Sequence, residues 1–282
     1  MNLFFHQLGY EFKKLFARKR THIGFAGFLI VEIALLFLLN LPQPKAHFRR
    51  MLEANGYGFD DYFSGITIAF FILSWTTVLL GALYLSLVSG DIIAKEVEEG
   101  TLRMILSRPV SRFRIGLVKY IACVGYTFVR TGFIGVTALI TGYLYRGGGG
   151  LFVYVPARNI FALYGASPGL LRYAVALPAL ALSQTVITSL GFMFSCFNGK
   201  PATATASTLS LILFDFIFGL IPYFESLRPY FITTHMATWM HLFEPHIPGW
   251  RMAEDYAVLL ALNATFFIVG LAVFERRDFK NG

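Results

Sequence analysis

HIGFAGFLIVEIALLFLLNL, residues 22–41, decides the class of fold. Twenty residues at 1.5 Å each span about 30 Å, the thickness of a bilayer's hydrocarbon core. The run holds one acid, Glu32, and no Lys or Arg. It is too long for the apolar core of a cleavable signal. The Leu41-Pro42-Gln43-Pro44-Lys45 that follows offers no small-x-small cleavage motif, so the run is expected to stay as a signal anchor.

Working outward, five more runs of spanning length follow at 66–89, 119–145, 173–197, 202–223 and 257–274. The fourth and fifth spans are parted only by Asn198-Gly199-Lys200-Pro201, a tight helical hairpin turn. Hydrophobic residues make up 56% of the chain and charged ones 14%, against about 25% charged in soluble domains. A water-soluble fold of this size is excluded. The expected architecture is an all-α polytopic membrane protein with six transmembrane helices, forming a single domain over 1–282.

Basic residues orient it. With Arg130 inside a span, fifteen of the remaining Lys and Arg fall on one side and eight on the other. The richer side holds both termini, the 90–115 connection and Lys200. The positive-inside rule therefore puts both ends in the cytoplasm, as a multi-pass protein of the cell's inner (cytoplasmic) membrane. The net charge of +8 lies beside apolar spans, which points to membrane lipid and not to nucleic acid.

Before the first span, Phe4, Leu8, Phe12, Leu15 and Phe16 recur at helical spacing, with Lys13, Lys14 and Lys19 on other faces. Residues 1–21 read as an amphipathic helix in the cytoplasmic interface, with a bend at the basic run 18–20. Outside, 151–155 and 159–164 are apolar enough to lie on the membrane surface. The aromatic stretch 224–256 is expected to rest in the outer interface. Cys123 and Cys196 read as packing residues, not a disulfide.

The cytoplasmic connection 90–115 is the unusual part. Asp91 to Glu99 continues helically from the second span with four carboxylates, and Gly100 ends that helix. Thr101 opens a short helix running to Leu106, Pro109 ends it, and Ser111 caps the helix leading into the third span. The result is a compact charged elbow projecting from the membrane, with its carboxylates and arginines available to pair across a polar interface.

Glu96, Gly100-Thr101-Leu102, Ile105-Leu106, Pro109-Val110-Ser111-Arg112 and Lys119 stand in the order found in type-2 ATP-binding-cassette (ABC) exporter permeases, which this chain resembles along its whole length. The resemblance implies a coupling helix that docks on a separate cytoplasmic ABC ATPase subunit, with Glu96, Gly100, Thr101, Pro109 and Arg112 as the coupling residues. No GxxxxGK[ST] loop is present, so ATP and Mg would belong to the partner and this chain would hold no cofactor. Six spans make half a transporter, most simply completed by a second permease copy in a homodimer. The alternative is a non-transport scaffold that uses the same loop to recruit a cytoplasmic partner.

Three charges fall inside spans: Glu32, Arg130 and Asp215. Counted from the span edges, Glu32 and Arg130 both lie about 15 Å deep. They are expected to pair, with Asp215 as a second acceptor further out; lining a polar substrate path is the other reading. No catalytic constellation stands out, and neither His-Glu-x-x-His nor Gly-x-Ser-x-Gly occurs. His235, Met240 and His241 carry ligand types that suit copper. The six-residue spacing of the two histidines does not put both on one helical face, so no resident metal is expected.

Overall fold

The computed structural model describes residues 2–106, 110–197 and 199–277. Among the described residues five helices are individually long and apolar enough to cross a membrane: α2 (Lys19–Leu39), α8 (Arg112–Arg146), α9 (Ala166–Cys196), α10 (Pro201–Leu220) and α12 (Gly249–Arg276). The remaining expected span is a composite. It begins as α5 (Gly65–Thr76), widens into a π-helical segment (Thr77–Gly81) and continues as α6 (Ala82–Glu98). Backbone angles stay right-handed helical at both joins, −65°/−42° at Thr77 and −62°/−41° at Ala82. Residues 65–98 thus form one track about 50 Å long.

Helix α1 (Asn2–Ala17) precedes α2, and the chain turns at Arg18, whose ψ of 131° breaks the helix. At the opposite end of the bundle, α3 (Pro42–Ala54) and α4 (Phe59–Tyr62) bridge α2 to α5. At the end of the bundle where α1 meets α2, α7 (Thr101–Leu106) joins α6 to α8.

The stretch expected to lie flat on the membrane instead pairs with itself. Strand β1 (Leu151–Val155) runs antiparallel to β2 (Ile160–Tyr164) across a 3-10 turn at Pro156–Arg158, with Asn159 left-handed at φ 54°. Leu151, Phe152 and Val153 are buried against α5 and its neighbours. Pairing satisfies the backbone polar groups that a flat apolar segment would leave unbonded. The 224–256 region folds as a 3-10 stretch (Pro222–Tyr230), α11 (Ile232–Met236) and a second 3-10 stretch (Ala237–Phe243), and α12 begins early, at Gly249. Trp239 and Phe243 sit buried against Phe70, while Tyr230 and Trp250 remain exposed.

Helix α9 is the central post. In its most apolar stretch 72% of the residues are buried, against 17% for α10 and 22% for α2. Its small and hydroxylated residues allow that crowding, because without a water-driven hydrophobic force membrane helices rely on close backbone approach. A Cβ on Gly191 would stand 1.9 Å from Ser89 Oγ. A turn further on, Ser195 Oγ accepts from the backbone N–H of both Ile93 and Ala94. The C-terminal half of α6 is thereby fixed to α9. Cys123 and Cys196 are buried and free.

Candidate docking face and buried charges

The C-terminal end of α6 is clamped from two sides. Lys119 of α8, with 1% of its side chain exposed, donates to Glu96 Oε1 at 2.6 Å and to Glu11 Oε1 of α1 at 3.1 Å. Lys14 of α1 donates to the same Glu96 oxygen. One and a half turns earlier on α6, Asp91 takes a 2.7 Å bond from Arg20. Glu96 is fully buried, which corrects the expectation of a carboxylate presented to a partner. Two ammonium groups converge on it, and their attraction offsets a desolvation that would expel an unpaired carboxylate to the surface.

The two carboxylates respond in opposite senses. Burial pushes the Glu96 carboxyl up, but Lys119 and then Lys14 outweigh it and hold the group below the usual carboxylate range. At Asp91 burial wins over Arg20, Lys95 and Arg18, and the carboxyl is held above its usual range.

Past Glu98 the helix stops as its sequence dictates. Gly100 is left-handed at φ +70°, a geometry other residues adopt only under strain. Gly100 N–H donates to Val97 O, and Thr101 Oγ1 donates to Glu96 O. Thr101 thus closes α6 in addition to opening α7. Leu102 is buried, whereas Glu98, Glu99 and Met104 are exposed. Of the four carboxylates on this stretch, two are internal struts and two face outward. Pro109 lies outside the described residues. Ser111 caps α8 by accepting from Arg114 N–H.

Arg112 also turns inward. Its Nη1 donates to the carbonyls of Glu275 and Arg277 at the end of α12, and Arg277 in turn donates to the carbonyls of Cys196 and Phe197 at the end of α9. These arginines satisfy carbonyls that helix ends leave open and complement the helix dipoles. They also tie the start of α8 to the ends of α12 and α9. Between α1, α7 and the start of α8 lies a groove of about 840 Å³, lined by Tyr10, Lys14, Thr101, Met104, Ile105 and Val110 among others.

Inside the membrane the three charges do not meet. Glu32 Oε1 accepts from Thr137 Oγ1 at 2.8 Å. The Arg130 guanidinium lies 5.1 Å from the ring of Phe28. Asp215 accepts from the N–H of Ile232 and Thr233 and from Thr233 Oγ1, serving as a cap for α11. The expected Glu32–Arg130 pair is therefore corrected. The partner actually taken by Glu32 shows that α2 and α8 are shifted along each other by about two turns from the register that counting from the span edges assumed. Glu32 comes level with Thr137, about 10 Å further along α8 than Arg130.

The outer histidines are separately engaged. His235 lies between Asp255 Oδ1, at 2.7 Å, and Pro229 O, at 2.9 Å. His241 Nδ1 faces Glu244 at 2.5 Å, and its Nε2 faces the Arg158 guanidinium at 3.0 Å. A guanidinium only donates, so His241 Nε2 must accept, and a cation has no place there. Met240 lines a separate apolar cavity. Among the described residues, no group of three or more His, Cys, Asp or Glu is placed to hold a metal.

The sequence missed the partners of Glu96 and Lys119. The available signal was the set of acids and bases on the inward faces of helices already marked as amphipathic: Glu11 and Lys14 lie three apart, one helical turn. Compared with known proteins, residues 10–279 match the family described as ABC-2 family transporter protein. The chain is also similar to the uncharacterized protein YhcI of Bacillus subtilis (strain 168), at 23% identity over 263 residues, covering 85% of this chain and 79% of that one.

Proposed function

The chain belongs to the ABC-2 family of transporter proteins, and on that premise we propose that it couples ATP hydrolysis by a separate cytoplasmic ATPase subunit to export of a substrate from the membrane or across it. Membership makes it a membrane permease subunit of an ABC transporter and not itself an enzyme. The observation that carries the finer reading is the single helical track 65–98. It runs from beneath the outer hairpin to the cytoplasmic side, where it ends in the short helix α7. Salt bridges at Asp91 and Glu96 fix its end to α1, α2 and α8. A push on α7 is thereby delivered to the bundle as a displacement of a packed helix, and does not dissipate in a loose loop.

In this reading Glu98, Glu99 and Met104 touch the ATPase, Gly100 and Thr101 set the angle of α7, and Glu96 and Arg112 position the lever from inside. Pro109 is proposed as the stop that ends the coupling segment. Both termini and the docking face lie in the cytoplasm, ATP and Mg bind to the partner, and a second copy of this chain completes the transporter as a homodimer.

The test is reconstitution of the permease with its ATPase in liposomes, comparing wild type with Glu98→Lys/Glu99→Lys and with Met104→Asp. The expected result is an assembled complex whose hydrolysis no longer responds to the permease and whose export is lost. Loss of ATPase recruitment, with no species transported even by the wild type, would favour the scaffold and end the transport reading.

A further inference from the structure

A cleft runs along one face of the 65–98 track, bordered by the hairpin and by the 3-10 stretch Ala237–Phe243. It has two lobes, of about 420 Å³ and about 320 Å³, each within the range of small-molecule sites. Ser74, Val78, Val155 and Met240 line both lobes and mark where they join. Ser74 and Val78 stand one helical turn apart, so a single face of the track floors the whole cleft. The π segment begins between them, at Thr77, and such wide turns gather at functional sites.

The lobes differ in chemistry. Rings wall the larger one: Phe48, Phe70, Phe71, Trp75 and Tyr154. The smaller lies among the track, α9, α10 and α11, and there Ser74, Thr77 and Gln184 face the space beside Ile187, Leu213 and Phe216. Gln184 and Ser74 are only 6% and 9% exposed. Among the described residues neither Gln184 Oε1 nor Ser74 Oγ has a hydrogen-bond partner. Burying a polar group unbonded is costly, so both call for a partner within the space they line.

That partner is uncharged. Among the described residues no carboxylate lines either lobe, and Arg158 is the only Lys or Arg that does. Its guanidinium is already engaged by His241 Nε2 and Thr234 O. His47, the other basic side chain, belongs to the aromatic lobe and is exposed. Carboxamides and hydroxyls both donate and accept, which suits hydroxyl, ester or amide groups. Trp75, Val78 and Leu213 are about half exposed along the apolar flank of the bundle, which gives a lateral way in from the bilayer.

We propose that this cleft binds a neutral single-chain amphiphile, an alcohol, ester or amide. Its polar head sits against Gln184, Thr77 and Ser74, and its chain passes Val78 into the aromatic lobe. As a statement about cargo this rests on the permease reading above. As a statement about binding it stands without the ATPase.

The experiment uses the full chain in phosphatidylcholine nanodiscs, titrated calorimetrically against empty nanodiscs. The probes are monododecanoylglycerol, dodecyl phosphate, dodecyltrimethylammonium and dodecane. Monododecanoylglycerol binds saturably, and the other three at least tenfold more weakly. Gln184→Leu lowers its affinity at least fivefold. Val78→Trp lowers it at least tenfold by crowding the join of the lobes. Val78 is exposed, so this variant spares the core, and a folding failure at Gln184 does not decide the matter. A probe brominated at the end of its chain quenches tryptophan fluorescence, and Trp75→Phe removes that quenching. Unchanged affinity in Val78→Trp overturns the site, as does quenching that persists without Trp75. Equal binding of dodecane overturns the polar seat, and equal binding of either charged probe overturns the neutral head. Disulfide cross-linking between copies of Val78→Cys, with no saturable binding, would show a second copy covering the cleft and end the proposal. Dioleoylglycerol added to the nanodiscs separates sources: competition supports a membrane glycerolipid as occupant, and undiminished binding supports a free amphiphile. A chain that binds monododecanoylglycerol but fails the reconstitution test refutes transport alone.

Discussion

Glu96→Gln is the sharpest perturbation of the buried charge cluster. It removes one negative charge from a site where Lys119 has 1% of its side chain exposed. Stranding one partner of a buried pair costs about 3–5 kcal/mol. Glu11 still accepts from Lys119 at 3.1 Å, so part of the compensation survives and the loss should be about 2–3 kcal/mol. The double variant Glu96→Gln/Lys119→Met removes both buried charges and should recover more than half of that loss, a coupling of about 1–2 kcal/mol between adjacent sites. Denaturant unfolding of the purified chain in mixed micelles, followed by helical circular dichroism, measures both. A double variant no more stable than the single one, or a single variant within 0.5 kcal/mol of wild type, would show that the cluster is an exposed ion-pair network and refute the clamp.

Acid should act on the two α6 carboxylates in opposite directions. The folded value of Glu96 is depressed, so its stabilising contribution is complete above its ordinary value of 4.5 and is lost as pH falls through the lower folded value. The folded value of Asp91 is raised; its contribution is present below 3.8 and lost as pH rises through the folded value. Acid titration of Asp91→Asn should therefore show a steeper loss of stability below pH 4.5 than wild type, read by unfolding midpoints. Gly191→Ala drives a methyl into Ser89 Oγ and should cost about 1–3 kcal/mol, with partial rescue by Ser89→Gly, both read by denaturant midpoints. Asp215→Ala removes the cap of α11 and should cost about 1 kcal/mol, with faster hydrogen exchange confined to the 232–236 amides. Exchange spread through the bundle would instead make Asp215 a core charge.

What the sequence made legible was whatever one segment decides for itself. The length of 22–41, the break at the basic run 18–20, Gly100 as a helix stop and Ser111 as a cap are local choices of backbone and solvent. What it hid depends on distance along the chain. Glu96 meets Lys119 23 residues away and Lys14 82 away, and no local pattern says which charge across such a separation it will meet. The hairpin escaped because a five-residue apolar run fits a strand or a membrane-surface segment equally, until its partner is known. The Glu32–Arg130 pairing failed on an offset of seven residues: the hydropathy edges of two helices do not fix how far one is shifted along the other, which packing decides.

The π segment has a further consequence, one of phase. A π turn holds one more residue than an α turn, so α6 is rotated by about 100° from where an unbroken α-helix continuing α5 would place it. Asp91 and Glu96 point at Arg20, Lys14 and Lys119 only in that rotated setting. Deleting a single residue between Thr77 and Gly81 would leave the length of the track almost unchanged. It would turn every contact of α6 beyond it by more than a quarter of a revolution, so the wide turn works as the angular index of the lever.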